Sequence, residues 1–116
     1  MSDIPRLDEE ALAELQDVME DEFGVLIETY LADSRTRIVG LNEAFEAGDA
    51  DRLRKAAHSL KGSCINIGVP RLGSLCFELE TLGDIGQLED AEPVLAAIAQ
   101  EFQEVSRQLE NFSQEK

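Results

Sequence analysis

The chain has no tryptophan, one tyrosine, one histidine and two cysteines. Its core must therefore be aliphatic, supplemented by five phenylalanines. Two cysteines, Cys64 and Cys76, supply neither a disulfide framework nor a metal motif. Each falls on an apolar stripe and reads as a buried thiol in a reducing compartment. Basic residues are also scarce: 10 Lys and Arg stand against 25 Asp and Glu, for a net charge of -15. Such a chain repels nucleic acid and anionic membrane, which excludes both as partners. No long apolar run exists. The longest uncharged stretch, Gly62 to Pro70, is far short of the roughly 20 residues that cross a bilayer. The opening Met-Ser-Asp-Ile-Pro-Arg lacks the apolar region of a signal peptide, so a cytoplasmic protein is expected.

What is present is helical. The 116 residues fit one domain, and 43% are hydrophobic, enough for a single modest core. Apolar residues recur at spacings of three and four, and no alternating strand pattern is convincing. A short first helix is expected over about 7–18, with Asp8 as N-cap and Leu12, Leu15 and Val18 as its apolar contacts. A long second helix runs from about Asp21 to Ala47 on the stripe Phe23, Leu26, Ile27, Tyr30, Leu31, Ile38, Leu41 and Phe45, with Gly48 as its stop. Asp49 or Asp51 then caps a third helix, striped by Leu53, Ala57, Leu60, Cys64 and Ile67 and ended by Gly68. Pro70 opens a fourth helix carrying Leu72, Leu75, Cys76, Leu79 and Leu82, broken by Gly83 and Gly86. After a loop over 87–90, the last helix tolerates Pro93 in its first turn. It shows the stripe Leu95, Ile98, Phe102, Val105, Leu109 and Phe112, and the tail beyond is expected to fray. Short connections between amphipathic helices imply an all-α, antiparallel up-and-down four-helix bundle with a short additional N-terminal helix, one domain over 1–116.

Any imidazole chemistry must use the one histidine, His58. At ~100° per residue the third helix's stripe lies within roughly 40° of Leu53, whereas His58 lies about 140° away. It should stand exposed on a shoulder of the bundle, among Arg54, Lys61, Gly62 and Ile65. Lys61 and Gly62, three and four residues on, share its face. One brings positive charge and the other empty space. Gly62 sits mid-helix, where glycine costs ~1 kcal/mol relative to alanine, so a functional need is implied. Arg52, Arg54, Lys55, Lys61 and Arg71 lie within about one helix length of His58. They read either as a solvated polar face or as a local positive patch that offsets phosphate charge. An exposed imidazole with such neighbours suits accepting a phosphoryl group and presenting it to another protein.

Other chemistry is thin. Gly83-Asp84-Ile85-Gly86 lacks the lysine and strand of a phosphate-cradling loop. Ser59 and Ser63 have no arranged base. Cys64 points to another side of the helix from His58 and is no zinc partner for it. Carboxylate pairs such as Glu9/Glu10 and Glu78/Glu80 are common on acidic helices. No self-sufficient catalytic site is found.

The run from Ala57 to Gly68, with His58, Lys61, Gly62, Asn66 and Gly68, resembles the signature of histidine-containing phosphotransfer (HPt) domains. Leu72, Leu75, Leu79 and Glu80 continue it into the next helix. Helix order and length match over nearly the whole chain, which suggests a stand-alone module. The resemblance implies a phosphorelay intermediate. It would take phosphate from a receiver-domain aspartate, as in hybrid sensor kinases, and give it to the aspartate of a response regulator. On this likeness His58 is phosphorylated at Nε2, Lys61 steadies the phosphate and Gly62 lets the receiver approach. Glu80 occupies a position where some members have glutamine, and would hold Nδ1–H and raise the ring's basicity. Phosphoryl transfer depends mainly on positioning and charge neutralisation. The chain offers a nucleophile and one cation but no cofactor or metal site near His58. Mg²⁺ and an acidic pocket are therefore expected on the receiver, with no ATP binding and no autokinase activity here. The expected docking surface is the His58 face with Arg54, Ile65 and Val69, on a monomer. Two competing readings remain: a non-catalytic helical adaptor with His58 idle, and a small metal-binding bundle using His58 and carboxylates.

Overall fold

A computed structural model of the chain describes residues 4–114. Among these residues there is no strand, and five α-helices follow in order: α1 (Glu9–Met19), α2 (Phe23–Glu46), α3 (Ala50–Ile67), α4 (Pro70–Ile85) and α5 (Ala91–Gln114). Single 3₁₀ turns at Glu20–Glu22 and Leu88–Asp90 lead into α2 and α5. The second helix thus starts two residues later than its periodicity suggests, and the expected loop at 87–90 is itself wound. The last helix runs on through Ser113 and Gln114 rather than fraying after Phe112. The final two residues of the expected tail lie outside the described residues.

The caps explain the boundaries. Asp8 accepts a hydrogen bond from the Ala11 amide at 3.1 Å, and Asp49 accepts one from the Arg52 amide at 3.0 Å. Both satisfy amides that a helix start leaves orphaned. Asp51 is therefore not the cap but a first-turn acid, paired with Arg54 and Lys55. At the other end of α3, Gly68 takes φ = 99°, the left-handed conformation that lets its own amide and that of Val69 both return to the Cys64 carbonyl. Pro70 then starts α4, where its missing N–H costs nothing.

The four long helices form a ring in chain order, α2 against α3, α3 against α4, α4 against α5 and α5 back against α2. The tightest pairing is the α3–α4 hairpin. Each contributes its stripe to one shared core. Leu53, Ala57, Leu60 and Cys64 of α3 meet Leu72, Cys76 and Leu79 of α4, with Ile27, Leu31 and Leu41 of α2 and Ile98, Val105 and Leu109 of α5, all buried. Burial of these side chains, at about 1.5–3 kcal/mol each, is what holds the bundle. The short α1 lies across one end. The Asp8 amide donates to the Gly68 carbonyl at 2.8 Å, and Leu12 is fully buried.

Gly83 does not break α4. It lies inside the helix and is buried. A Cβ there would sit 3.0 Å from the Ala50 carbonyl oxygen and 3.0 Å from the Arg54 amide nitrogen. The residue is glycine because the α3 backbone comes that close. The helix ends at Gly86, whose φ is 74°.

Candidate functional site

The α3 stripe turns Leu53, Ala57, Leu60, Cys64 and Ile67 inward, and the same geometry leaves the His58 side chain 65% exposed. Because α4 runs antiparallel and close, Glu80 arrives directly beside the ring. The imidazole Nδ1 lies 2.9 Å from Glu80 Oε2. A carboxylate can only accept, so Nδ1 carries the proton and donates. That leaves Nε2 as the ring nitrogen available for reaction on an exposed side chain.

Glu80 has a second partner. Its Oε1 lies 3.0 Å from Lys61 Nζ, a charge contact rather than an aligned hydrogen bond. Burial beside α3 pushes the Glu80 carboxyl upward, but the Lys61 ammonium and then the His58 ring outweigh it and hold the group below the ordinary carboxylate value. It is thus an anion under neutral conditions. The Lys61 ammonium also stands over the Phe77 ring, 5.0 Å from its centroid. One carboxylate on α4 therefore aligns the imidazole and tethers the nearest cation.

Gly62 follows on the next turn of α3. A Cβ at this position would meet nothing within 4 Å. The glycine answers no internal crowding, and its emptiness is directed outward beside the ring. Ile65 completes this face and is exposed. It is not covered by α1.

Two expectations change. Val69 is not available to a partner: it is fully buried at the α3–α4 turn, where its carbonyl accepts from the Gly73 amide within the first turn of α4. The turn is itself packed, with Ala11 and Leu12 of α1 standing against the adjacent Gly68. The basic cluster is not a free positive patch either. Arg52 pairs with Glu43, Arg54 and Lys55 both pair with Asp51, and Arg71 donates to the Ile4 carbonyl. Arg54 remains on the His58 side of α3, one turn back, with its charge largely answered by Asp51.

Sequence reading missed Phe77 and Arg37. Phe77 lies five residues past Leu72 and so off the α4 stripe. A large apolar residue on a polar face was the available signal. Arg37 of α2 hydrogen-bonds the Ser59 hydroxyl, next to His58 in sequence, and only the fold brings them together. The cysteines are free and buried. The Tyr30 hydroxyl and Cys64 Sγ are 3.3 Å apart. Among the described residues no three His, Cys, Asp or Glu side chains gather to hold a metal ion, and no helix is long and apolar enough to cross a membrane.

The chemical capacity of this face is specific. It offers one nucleophilic ring nitrogen, a fixed tautomer, a cation for developing negative charge, and open space on one side.

Comparison with known proteins agrees with this chemistry. Residues 25–108 match the family described as the Hpt domain. The crystal structure of histidine-containing phosphotransfer protein B (HptB) from Pseudomonas aeruginosa PAO1 superposes with a TM-score of 0.91 at 41% identity, covering 95% of this chain and 96% of that one. Multistep phosphorelay regulator 1 of Schizosaccharomyces pombe is 31% identical over 75 residues, 64% of this chain. The chain spans about a quarter of that curated relative's length, 25%.

Proposed function

Since this chain belongs to the Hpt domain family, whose members carry phosphoryl groups in phosphorelays between receiver domains, we propose that His58 is the residue that is phosphorylated, at Nε2. The observation that carries this reading is the hydrogen bond from Nδ1 to Glu80, which supports Nε2 as the nucleophilic nitrogen. The Nε2 lone pair attacks the phosphorus of a receiver's aspartyl phosphate. The acyl phosphate P–O bond breaks, and the aspartate leaves as a carboxylate. The ring keeps its Nδ1 proton and becomes an imidazolium, whose positive charge faces Glu80. The reverse step returns the phosphoryl group to the aspartate of a second receiver.

Lys61 stands where it can neutralise the phosphoryl oxygens, and transfer of this kind draws its catalysis from such positioning and charge. Gly62 leaves the approach to Nε2 unobstructed, with Arg54 and Ile65 as docking contacts. A divalent cation does not fit on this face. The carboxylate beside the ring is already engaged by the imidazole N–H and by the Lys61 ammonium, and a metal would have to displace Lys61. We therefore assign Mg²⁺ to the receiver partner. The chain acts as a carrier without ATP binding or autokinase activity, as a monomer in the cytoplasm.

The test is transfer from a ³²P-labelled receiver in the presence of Mg²⁺. Wild-type protein should acquire label that is acid-labile and alkali-stable, and His58→Gln should acquire none. Label that persists in His58→Gln would place the site elsewhere. Absence of label from a broad panel of receivers would favour a helical adaptor instead.

A further inference from the structure

Phe77 is an exposed aromatic residue with no role in the core. It is 56% exposed on α4, and the buried positions of that helix are Leu72, Gly73, Cys76, Leu79 and Gly83. What the ring does touch is the ammonium of Lys61, 5.0 Å from its centroid. Lys61 is correspondingly constrained, its side chain only 21% exposed. Resting on the reading of His58 as the phosphorylated residue, we propose that Phe77 is a positioning residue for phosphoryl transfer, holding Lys61 beside the imidazole through its π face.

The physical case turns on what each holder of Lys61 does when phosphate arrives. A free lysine spreads over many rotamers, and fixing it at the moment of reaction costs entropy. Glu80 restrains it, with Oε1 at 3.0 Å, but does so with a negative charge. That charge competes with the incoming phosphoryl oxygens for the same ammonium. The Phe77 ring holds the cation through its quadrupole and has no net charge. It therefore keeps Lys61 in place without opposing the phosphoryl group. An aromatic side chain on a polar helix face is explained by this contact.

The test uses phosphoramidate, a small phosphoryl donor that needs no docking surface. In that reaction Nε2 bonds to phosphorus, the donor P–N bond breaks, and the donor nitrogen leaves as ammonia with the bonding electron pair. The ring retains its Nδ1 proton. Rates of His58 phosphorylation are compared for wild type, Phe77→Leu, Phe77→Tyr, Lys61→Gln and the Phe77→Leu/Lys61→Gln double variant. Phe77→Leu should slow phosphorylation by roughly two- to fivefold, the factor carried by an exposed cation–π contact, and Phe77→Tyr should retain the wild-type rate. In the Lys61→Gln background the Phe77→Leu change should have no further effect, because the two act as a unit. The Lys61 ε-methylene resonances should lie upfield from ring current in wild type and move to ordinary positions in Phe77→Leu. The proposal is overturned if Phe77→Leu matches wild type, or if it costs the same factor with and without Lys61. A wild-type protein that takes no phosphoryl group on His58 would overturn the functional reading itself, which is a separate outcome.

Discussion

At the scale of single residues, Glu80 links His58 and Lys61, and its substitutions separate its two contacts. Glu80→Gln keeps an oxygen that can accept from Nδ1 but removes the charge that tethers Lys61. Glu80→Ala removes both. Single-turnover transfer to a receiver should therefore fall in steps, with the glutamine variant intermediate and the alanine variant down by about tenfold or more. An alanine variant as fast as the glutamine one would show that ring alignment does not matter. The carboxyl also has a pH signature. Its folded-state pKa lies below the ordinary value of 4.5, so its stabilising contribution is complete above that value. The contribution is lost as pH falls through the depressed one. The stability gap between wild type and Glu80→Gln should be steady at neutral pH and close on strong acidification, as followed by urea unfolding at several pH values. His58 and Lys61 were readable from the chain because they share one helix face. Glu80 required the family likeness, since it lies on another helix and only the hairpin brings it within 2.9 Å. Phe77 was legible only as an apolar residue out of register.

At the scale of helices, the start and stop signals were largely local and therefore readable. Asp8, Asp49, Gly68 and Pro70 each act on their own few residues of backbone. Gly83 and Val69 were misread because their roles are set by neighbours distant in sequence. A glycine in a helical stretch looks like a stop until the α3 backbone is seen at 3.0 Å from where its Cβ would be. A valine in a turn looks exposed until the fold is seen to bury it completely. Gly83→Ala makes this concrete. The added methyl meets backbone atoms that cannot rotate aside, so α4 must move outward from α3. Overpacking of this kind costs about 1–3 kcal/mol, measurable as a lower urea midpoint. Because Glu80 is one turn away on the same helix, the shift should also lengthen the His58–Glu80 contact and slow transfer. A variant with full stability and full transfer would mean that the hairpin can yield without consequence.

At the scale of the whole molecule, the basic residues of early α3 do not set a free positive face against the acidic excess, since Arg52, Arg54 and Lys55 are each paired with acids. A receiver docking at His58 as proposed would therefore rely more on shape and on exposed Ile65 than on bulk charge. One long-range ion pair ties the N-terminal segment to the bundle. Arg6 grips Glu101 of α5 in a two-pronged contact at 2.8 and 3.1 Å, and Glu101 is only 8% exposed. Arg6→Ala leaves that carboxylate buried without its cation and should cost about 1–3 kcal/mol, read from denaturant unfolding. The Arg6→Ala/Glu101→Ala double variant should recover part of the loss, because the stranded charge is then gone. Equal destabilisation of both variants would assign the effect to lost packing around Arg6.

The Asp8–Gly68 hydrogen bond seats the start of α1 against the end of α3, and the Phe23–Phe112 ring contact, with centroids 6.0 Å apart, pins the end of α5 against the start of α2, so both fastenings lie at one pole of the bundle. His58 lies ten residues up α3 from that pole, a rise of about 15 Å. Fraying at that pole would therefore reach the imidazole only after roughly three turns of α3 had come undone.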